Sequence, residues 1–159
     1  MPRKLLKLKN YDIHSICSFD PDTGKLNANI AMWVMASSLD GKLVTIALEN
    51  GDYTLELIQK TPFLTINLLA EQQSRLINKL GRRSGRQTDK FKNLAYGLDS
   101  RNCPFLRECI GYLSCEAKAF YPSGDHTLVL CEIVSQKVLH PELNSMSLNF
   151  LREKKLVRG

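Results

Sequence analysis

The sequence predicts a mainly β domain: an antiparallel barrel of Greek-key type with two or three peripheral helices, rather than a parallel, doubly wound sheet. Three observations support this fold class. The run Ile30–Ala36 is apolar without interruption, Leu43–Glu49 is rich in β-branched residues, and two extended segments flank the turn residues Pro122–Asp125. The short connections between these segments favour antiparallel pairing.

The first two segments predict a hairpin. A continuous apolar run such as Ile30–Ala36 is typical of a strand that is covered on both faces. An Asp-Gly turn within Leu39–Lys42 follows, and Leu43–Glu49 is predicted to be the returning strand.

Two helices are predicted to flank the next strand. Asp52 is a suitable N-cap for a short helix that ends before Pro62, because the residue before a proline disfavours helical backbone. Pro62–Leu69 alternates as a strand. The second helix follows from side chains that recur at helical spacing and from Gly81 as a C-cap; these side chains are Leu69, Gln73, Leu76, Ile77 and Leu80.

The chain is long enough for one core of ordinary size, because 43% of its 159 residues are hydrophobic. We expect one domain over residues 1–159, with a peripheral N-terminal segment at 1–20 and a charged tail at 150–159. Four or five strands are expected in total. No apolar run approaches the roughly 20 residues that cross a bilayer, so we expect a soluble, cytoplasmic protein.

The net charge of +6 permits an anionic partner but does not specify one. Part of the charge lies in Gly81–Lys92, which we interpret first as a solvated, mobile loop, second as a phosphate contact and third as a nucleic-acid patch. The five cysteines form an odd set without a Cys-x-x-Cys pair, which argues against disulfides and a closed zinc site.

No common catalytic motif is present, and the spacing of His14, His126 and His140 predicts no metal site. If the protein is an enzyme, an organic cofactor must supply most of the reactivity. Hydroxyl and amide side chains do stand at the ends of the predicted elements, where they could either cap the backbone or bind a phosphate. They are Ser37, Ser38, Thr54 and Asn67.

Several short motifs occur along the chain, and their order is informative. They are Ser-Leu-Asp at Ser38–Asp40, a threonine before Leu-Glu-Leu-Ile, Phe-x-x-x-Asn-x-Leu at Phe63–Leu69, Asp-Lys-Phe at Asp89–Phe91, Cys-Pro-x-Leu at Cys103–Leu106, Leu-x-Cys at Leu113–Cys115 and Gly-Asp-His at Gly124–His126. With these motifs, residues 27–139 resemble the flavin reductase-like, FMN-binding split-barrel family. The branch that it resembles most contains flavoredoxins, ferric reductases and the reductase modules of cyanobacterial diflavin flavoproteins.

The resemblance implies a set of site residues. The flavin would lie along Ile30, Ala31, Met32 and Trp33, and its ribityl-phosphate would be flanked by Ala36, Ser37 and Ser38. The phosphate would be bound by Gly51, Asp52 and Thr54, and its charge would be offset by Lys90. The ring edge or the ribityl chain would be approached by Asn67 and Leu68. His126 would be the catalytic residue, placed beside the nicotinamide. The usual Pro-Pro is replaced by Gly41-Lys42, and polar residues of the first strand are replaced by apolar ones.

Two residues keep more than one interpretation. His126 begins an apolar strand and would either orient a nicotinamide or serve as a structural hydrogen-bonding residue. Trp33, the only tryptophan, would either stack on the flavin or fill the barrel or a dimer interface.

The resemblance implies an NAD(P)H-dependent flavin reductase. FMN, with FAD as the alternative, would accept hydride from NADH or NADPH and pass electrons to free flavin, ferric iron or a protein acceptor. A homodimer is expected, without nucleic-acid or membrane partners. The alternatives are a flavin- or haem-binding electron carrier without turnover, and an oligonucleotide-binding barrel.

Overall fold

The computed structural model describes residues 4–157, which form nine strands, three α-helices and two short 3-10 helices. The strands are β1 (His14–Phe19), β2 (Leu26–Ala28), β3 (Val34–Ala36), β4 (Leu43–Glu49), β5 (Phe63–Leu68), β6 (Tyr96–Leu98), β7 (Pro104–Leu106), β8 (Gly111–Ser123) and β9 (His126–Val138). The helices are α1 (Tyr53–Lys60), α2 (Leu76–Gly81) and α3 (Leu148–Glu153), with 3-10 helices at Leu5–Leu8 and Glu71–Gln73.

Seven strands form one antiparallel sheet in the order β2-β1-β5-β8-β9-β4-β3, and β6 pairs with β7 separately. The two edge strands of the large sheet, β2 and β3, are consecutive in the chain. Between them, Ala31 exchanges two backbone hydrogen bonds with His14, and the carbonyl of Trp33 accepts from the amide of Ala47. The segment 26–36 therefore pairs first with β1 and then with β4, which closes the sheet into a barrel.

The barrel interior is filled by the alternate side chains of its strands. On β4, Val44, Ile46 and Leu48 are buried, while the residues between them are partly exposed. Leu55 and Ile58 of α1 join the same cluster. The amphipathic spacing of α1 thus brings its apolar face against the barrel core.

A second core lies outside the barrel wall. Ile13 and Cys17 of the β1 region pack there against side chains of α2, the segment after it and α3. Leu151 of α3 is 1% exposed, so the C-terminal region is anchored in this core.

Most elements predicted from the sequence are confirmed. The hairpin of β3 and β4 and that of β8 and β9 have the expected turns, and Gly41 and Gly124 have positive φ angles. The Asp52 side chain caps α1 by accepting from the amide of Thr54, at 2.9 Å. β5 lies within the predicted range, Pro62–Leu69.

Other predictions need correction. Residues 1–20 are not all peripheral, because β1 lies inside the sheet, where Ile16 and Cys17 are fully buried. The run Ile30–Ala36 is not a strand covered on both faces: it changes partner midway, and Met35 is 62% exposed. The predicted second helix is split into Glu71–Gln73 and α2, and Arg82 rather than Gly81 is the C-cap.

The ends of the predicted domain, residues 1–3 and 158–159, lie outside the described residues. Within the described part of the chain, the tail is not free, because Leu156 and Val157 pack against the outer core. None of the helices in residues 4–157 is long and apolar enough to cross a membrane.

The basic segment Gly81–Lys92 is exposed at its arginines but anchored at two points. Lys90 is 6% exposed, and its Nζ donates to the carbonyls of Ala28 and Leu80 at 2.8 and 2.7 Å. Gly85 is buried against the side chain of Asn27. The segment is therefore a packed cover on β2 rather than the mobile loop that its composition predicts.

Gly85 tests this packing. A Cβ at residue 85 would lie 2.0 Å from Oδ1 of Asn27, whose amide is held by bonds to Ser18 and Thr54. We expect Gly85→Ala to lower the free energy of unfolding by about 1–3 kcal/mol, the usual cost of overpacking, in a denaturant titration. The matched control is Gly51→Ala, because a Cβ there meets nothing within 4 Å. Equal stability of the two variants would contradict the packing.

Candidate functional site

A cavity of about 530 Å³ lies against the segment that closes the barrel. Its walls come from that segment, from α2 and α3 and from the N-terminal residues, and most of them are apolar or aromatic. The lining residues are Leu6, Lys7, Tyr11, Ile13, Ile30, Met32, Trp33, Ile77, Leu148, Leu151, Arg152 and Val157. The volume lies within the range of about 300–1,000 Å³ that is usual for small-molecule sites.

Three of the residues predicted to lie along a flavin, Ile30, Met32 and Trp33, line this cavity. Ala31, the fourth, does not line it: its backbone pairs with His14, and its side chain belongs to the barrel core. The alternation of a nearly extended segment explains why Ala31 differs from its neighbours Ile30 and Met32, whereas Trp33 lines the cavity although it directly follows Met32.

Arg152 and Lys7 contribute the cationic groups of the cavity wall. The guanidinium of Arg152 donates to the carbonyl of Lys7 at 2.7 Å, to that of Lys9 at 3.4 Å and to the side chain of Asn149 at 2.9 Å. Its Nε is buried and has no hydrogen-bond partner among residues 4–157. Arg152 thus ties the N-terminal residues to α3 through three of its five N–H groups.

His126 lies next to the cavity through Trp33. The two ring centroids are 4.9 Å apart, and the rings are tilted by 57°. Nδ1 of His126 donates to the carboxylate of Asp125 at 2.6 Å. This hydrogen bond, together with the attraction of the imidazole, lowers the pKa of Asp125. The carboxylate in turn orients the ring, so His126 has a defined position beside the only tryptophan.

The residues predicted to bind a phosphate at the start of α1 are brought together, but they bind one another. Oδ1 of Asp52 accepts from the amide of Thr54 at 2.9 Å, and Oδ2 accepts from the side chain of Asn29 at 3.0 Å. The Thr54 hydroxyl is buried and accepts from Asn27 at 2.9 Å. The carbonyl of Gly51 accepts from Arg86. A carboxylate therefore already occupies the electropositive N-terminus of this helix.

Lys90, the predicted counter-charge, lies in the same region. Burial lowers the pKa of Lys90, and the attraction of the Asp52 carboxylate opposes that shift. Because two of its three donor hydrogens are directed at carbonyls, its main observed role is to hold the cover segment on β2.

Asn67 and Leu68 lie away from this cavity. Asn67 is fully buried outside the barrel wall, where its amide donates to the carbonyl of Ser15 and to Thr65 while its oxygen accepts from the amide of Leu106. Leu68 lines a smaller cavity of about 240 Å³ that includes His14. The hydrogen bonds of Asn67 thus link β5 to β1 through Ser15 and to β7 through Leu106.

The corner residues Ala36, Ser37 and Ser38 are separated from α1 by the length of β4. Ser38 donates to Asp40 at 2.6 Å and accepts from the amides of Lys42 and Leu43, so it stabilises its own turn. Seven residues of extended strand span about 20 Å. The corner and the start of α1 thus cannot hold the same phosphate group, contrary to the site implied by the resemblance.

All five cysteines are buried as free thiols. Burial raises the pKa of each thiol, that of Cys17 to about 12. They remain protonated near neutral pH, as expected of small apolar core residues. No cluster of metal-ligating side chains occurs in the part of the chain that the structure describes.

Sequence reasoning missed Asn27, Asn29 and Arg152. The two asparagines stand at alternate positions near the start of the closing segment, residues 26–36, a pattern that is consistent with one shared face. No comparable sequence pattern indicates Arg152, because it reaches the cavity wall only through the packing of the C-terminal region.

Comparison with known proteins agrees with this architecture. Residues 13–155 match the family described as "Flavin reductase like domain". Over 141 residues the chain is 26% identical to a high molecular weight rubredoxin of Moorella thermoacetica, covering 87% of this chain and 61% of that protein, which is less than two thirds of its length. It is 25% identical over 138 residues to a flavin reductase of Pseudomonas putida, covering 87% and 77%.

A solved structure described as an FMN-binding protein from Thermus thermophilus with bound 1-cyclohex-2-enone shares the fold. Its TM-score is 0.77 at 19% identity, covering 87% of this chain and 76% of that chain. The predicted split barrel is thereby confirmed. Since the family match extends over nearly the whole described chain, the protein belongs to the flavin reductase-like domain family.

Proposed function

We propose that the protein is an oxidoreductase that binds FMN in the 530 Å³ cavity and reduces it with NADH or NADPH. The electrons would then pass to free flavin, ferric iron or a protein acceptor. One observation carries the proposal: Ile30, Met32 and Trp33 form a wall of a ligand-sized cavity, and Trp33 brings His126 to its edge. The flavin reductase of Pseudomonas putida supports the same class of reaction.

The cavity suits the ring system of a flavin. Flat aromatic ligands are held by apolar and aromatic walls with a few polar groups, and here Tyr11, Lys7 and Arg152 are the polar ones. The guanidinium of Arg152 and the ammonium of Lys7 also give this wall positive charge. The volume favours FMN over FAD, whose additional nucleotide would extend beyond the cavity.

When bound, the flavin supplies the acceptor atom for hydride from the nicotinamide, so no protein nucleophile is needed. The chain's own contribution is position and polarity. Ile30 and Met32 exclude water from one side of the cavity. His126, oriented by Asp125, would contact the carboxamide of a nicotinamide beside Trp33.

A flavin- or haem-binding carrier without turnover is the second candidate. It is favoured by the closing segment, which lines the cavity with Ile30 and Met32 and offers no hydroxyl or amide side chain there. Turnover with a nicotinamide distinguishes the two candidates, because a carrier would bind the cofactor without accepting hydride.

The flavin proposal is tested by titrating FMN into the protein while recording tryptophan emission. Trp33 is the only tryptophan and lines the cavity, so we expect saturable quenching by FMN. Anaerobic addition of NADH, and separately NADPH, should then bleach the flavin absorbance. Free tryptophan amide with FMN corrects for absorption by the flavin. Quenching no greater than in that control would exclude this cavity, and quenching without bleaching would favour the carrier.

The role of His126 is tested by His126→Gln. We expect the rate of flavin reduction to fall by roughly tenfold or more, since positioned polar groups contribute at this scale, while FMN affinity stays unchanged. Stopped-flow absorbance measures the rate. His140→Gln is the matched control, because His140 is also partly buried, and its Nε2 bonds the backbone carbonyl of Arg107 away from the cavity. An equal fall in the rate of flavin reduction in both variants would contradict a specific role for His126.

We also propose that the protein is a homodimer. Two cross-strand rows on the outer barrel face contain no charged side chain: Trp33, Ala47, Leu128 and Tyr121 in one, and Met35, Thr45, Leu130 and Ala119 in the other. Charged residues such as Glu49 and Glu132 surround these rows. An apolar centre with a polar rim is typical of protein interfaces, and a second copy there would cover His126 and one edge of the cavity.

Met35→Glu tests this interface. A carboxylate in the apolar centre would have to lose its water on association, so we expect the dimer to dissociate into folded monomers in sedimentation velocity. The matched control is Leu98→Glu on β6, because Leu98 is similarly exposed but lies outside the two rows. A wild-type monomer, or a dimer that both variants retain, would contradict the proposal.

A further inference from the structure

The turn that carries His126 lies at the end of a projecting hairpin. His126 is the last residue of β9 that pairs with β4, opposite Glu49, and Gly124 and Asp125 form the turn before it. All residues from Tyr121 to Asp125 are exposed. Because exposed hairpin ends open readily, the pairing of β8 with β9 would by itself hold His126 only loosely.

Asn50, directly after β4, holds this turn with three hydrogen bonds. Its backbone N–H donates to the carbonyl of Asp125 at 3.0 Å, and its side-chain Nδ2 donates to the carbonyl of Gly124 at 3.1 Å. Its Oδ1 accepts from the hydroxyl of Thr127 at 2.8 Å. The three bonds reach the chain on both sides of His126, so the position of this histidine depends on Asn50.

The ring of His126 is oriented by two further contacts. Trp33 packs on it with a centroid distance of 4.9 Å, and Nδ1 lies 2.6 Å from Oδ1 of Asp125. A carboxylate can only accept a hydrogen bond, so the proton is on Nδ1, and Nε2 of the neutral imidazole is an acceptor. The side chain is 23% exposed, and within residues 4–157 only Nδ1 of the ring forms a hydrogen bond. The ring therefore has one acceptor that the described protein does not use.

We propose that Asn50 is a positioning residue for His126, and that Nε2 of His126 accepts a hydrogen bond from the N–H of the nicotinamide carboxamide. This inference rests on the proposed function. Asn50 acts through the turn, to which both polar atoms of its side chain are bonded. His126 then distinguishes a carboxamide from a group of similar shape that has no N–H donor.

The experiment compares two hydride donors with FMN bound to the protein. They are NADH and reduced acetylpyridine adenine dinucleotide, in which a methyl ketone replaces the carboxamide. Stopped-flow absorbance gives the rate constant of FMN reduction with each donor, and the ratio of the two rate constants is the carboxamide preference. In His126→Ala this preference reports only the intrinsic difference between the donors. In the wild type we expect it to be about three- to tenfold higher, as one neutral hydrogen bond would provide.

Asn50→Ala should lower the carboxamide preference close to that of His126→Ala. The double variant should show no further fall, because Asn50 acts through His126. Gln59→Ala is the matched control and should keep the wild-type preference. Gln59 is an exposed amide side chain that lines the same groove beside the turn, but the three bonds that hold the turn come from Asn50.

Thr127 provides a second pair of variants, which carries the test if Asn50→Ala does not fold. Thr127→Val removes the hydroxyl that bonds Asn50 and should lower the carboxamide preference in part. Thr127→Ser keeps the hydroxyl and should keep the wild-type preference. FMN affinity in the Trp33 quenching titration should be unchanged in every variant, which shows that the flavin site is intact.

The other outcomes separate the inference from the proposed function. A wild-type preference equal to that of His126→Ala would overturn the carboxamide assignment. A wild-type preference in Asn50→Ala or in Thr127→Val would overturn the positioning role, even if both rate constants fell equally, because that result indicates only a structural role. If NADH does not reduce FMN bound to the wild type, the proposed function itself fails, and this inference fails with it.

Discussion

The structure depends on one backbone segment that bonds to both edges of the sheet. Residues 26–36 pair with β1 at their start and with β4 at their end, and the double hydrogen bond between Ala31 and His14 lies at the change of partner. Without this segment the sheet would have two open edges. Its closure also positions the cavity, because Ile30, Met32 and Trp33 belong to the same short stretch. The closure of the barrel and the position of the candidate site therefore both depend on the segment 26–36.

The polar and apolar parts of the candidate region have different roles. Hydrogen bonds around the start of α1 join Asn27 to Thr54 and Asn29 to Asp52, and Asp52 to the amide of Thr54. They hold the start of the helix on the barrel, while Lys90 holds the cover segment 81–92 there. The neighbouring cavity has few polar groups, and those come from the chain's N-terminal residues and α3. Ligand chemistry and structural hydrogen bonding are thus spatially separated.

Packing of the terminal regions completes the cavity. Arg152 bonds the carbonyls of Lys7 and Lys9, which links residues distant in the sequence across the cavity wall. Leu148, Leu151 and Val157 supply the apolar surface on that side. One wall of the cavity therefore depends on the N-terminal residues and α3, which lie outside the barrel strands and carry weak sequence patterns.

The sequence by itself determined the local elements: both hairpins, the Asp52 cap, the length of α1 and the mainly β class follow from turn chemistry and periodicity, which act between near neighbours. It also determined the family, through the order of several short motifs. It could not show that Ser38 and Thr54 lie at opposite ends of β4, that Asn67 is buried against β7, or that β1 lies inside the sheet. Only the tertiary structure decided these points and the position of Arg152, because they depend on contacts between residues far apart in the chain, to which local propensity and spacing are insensitive.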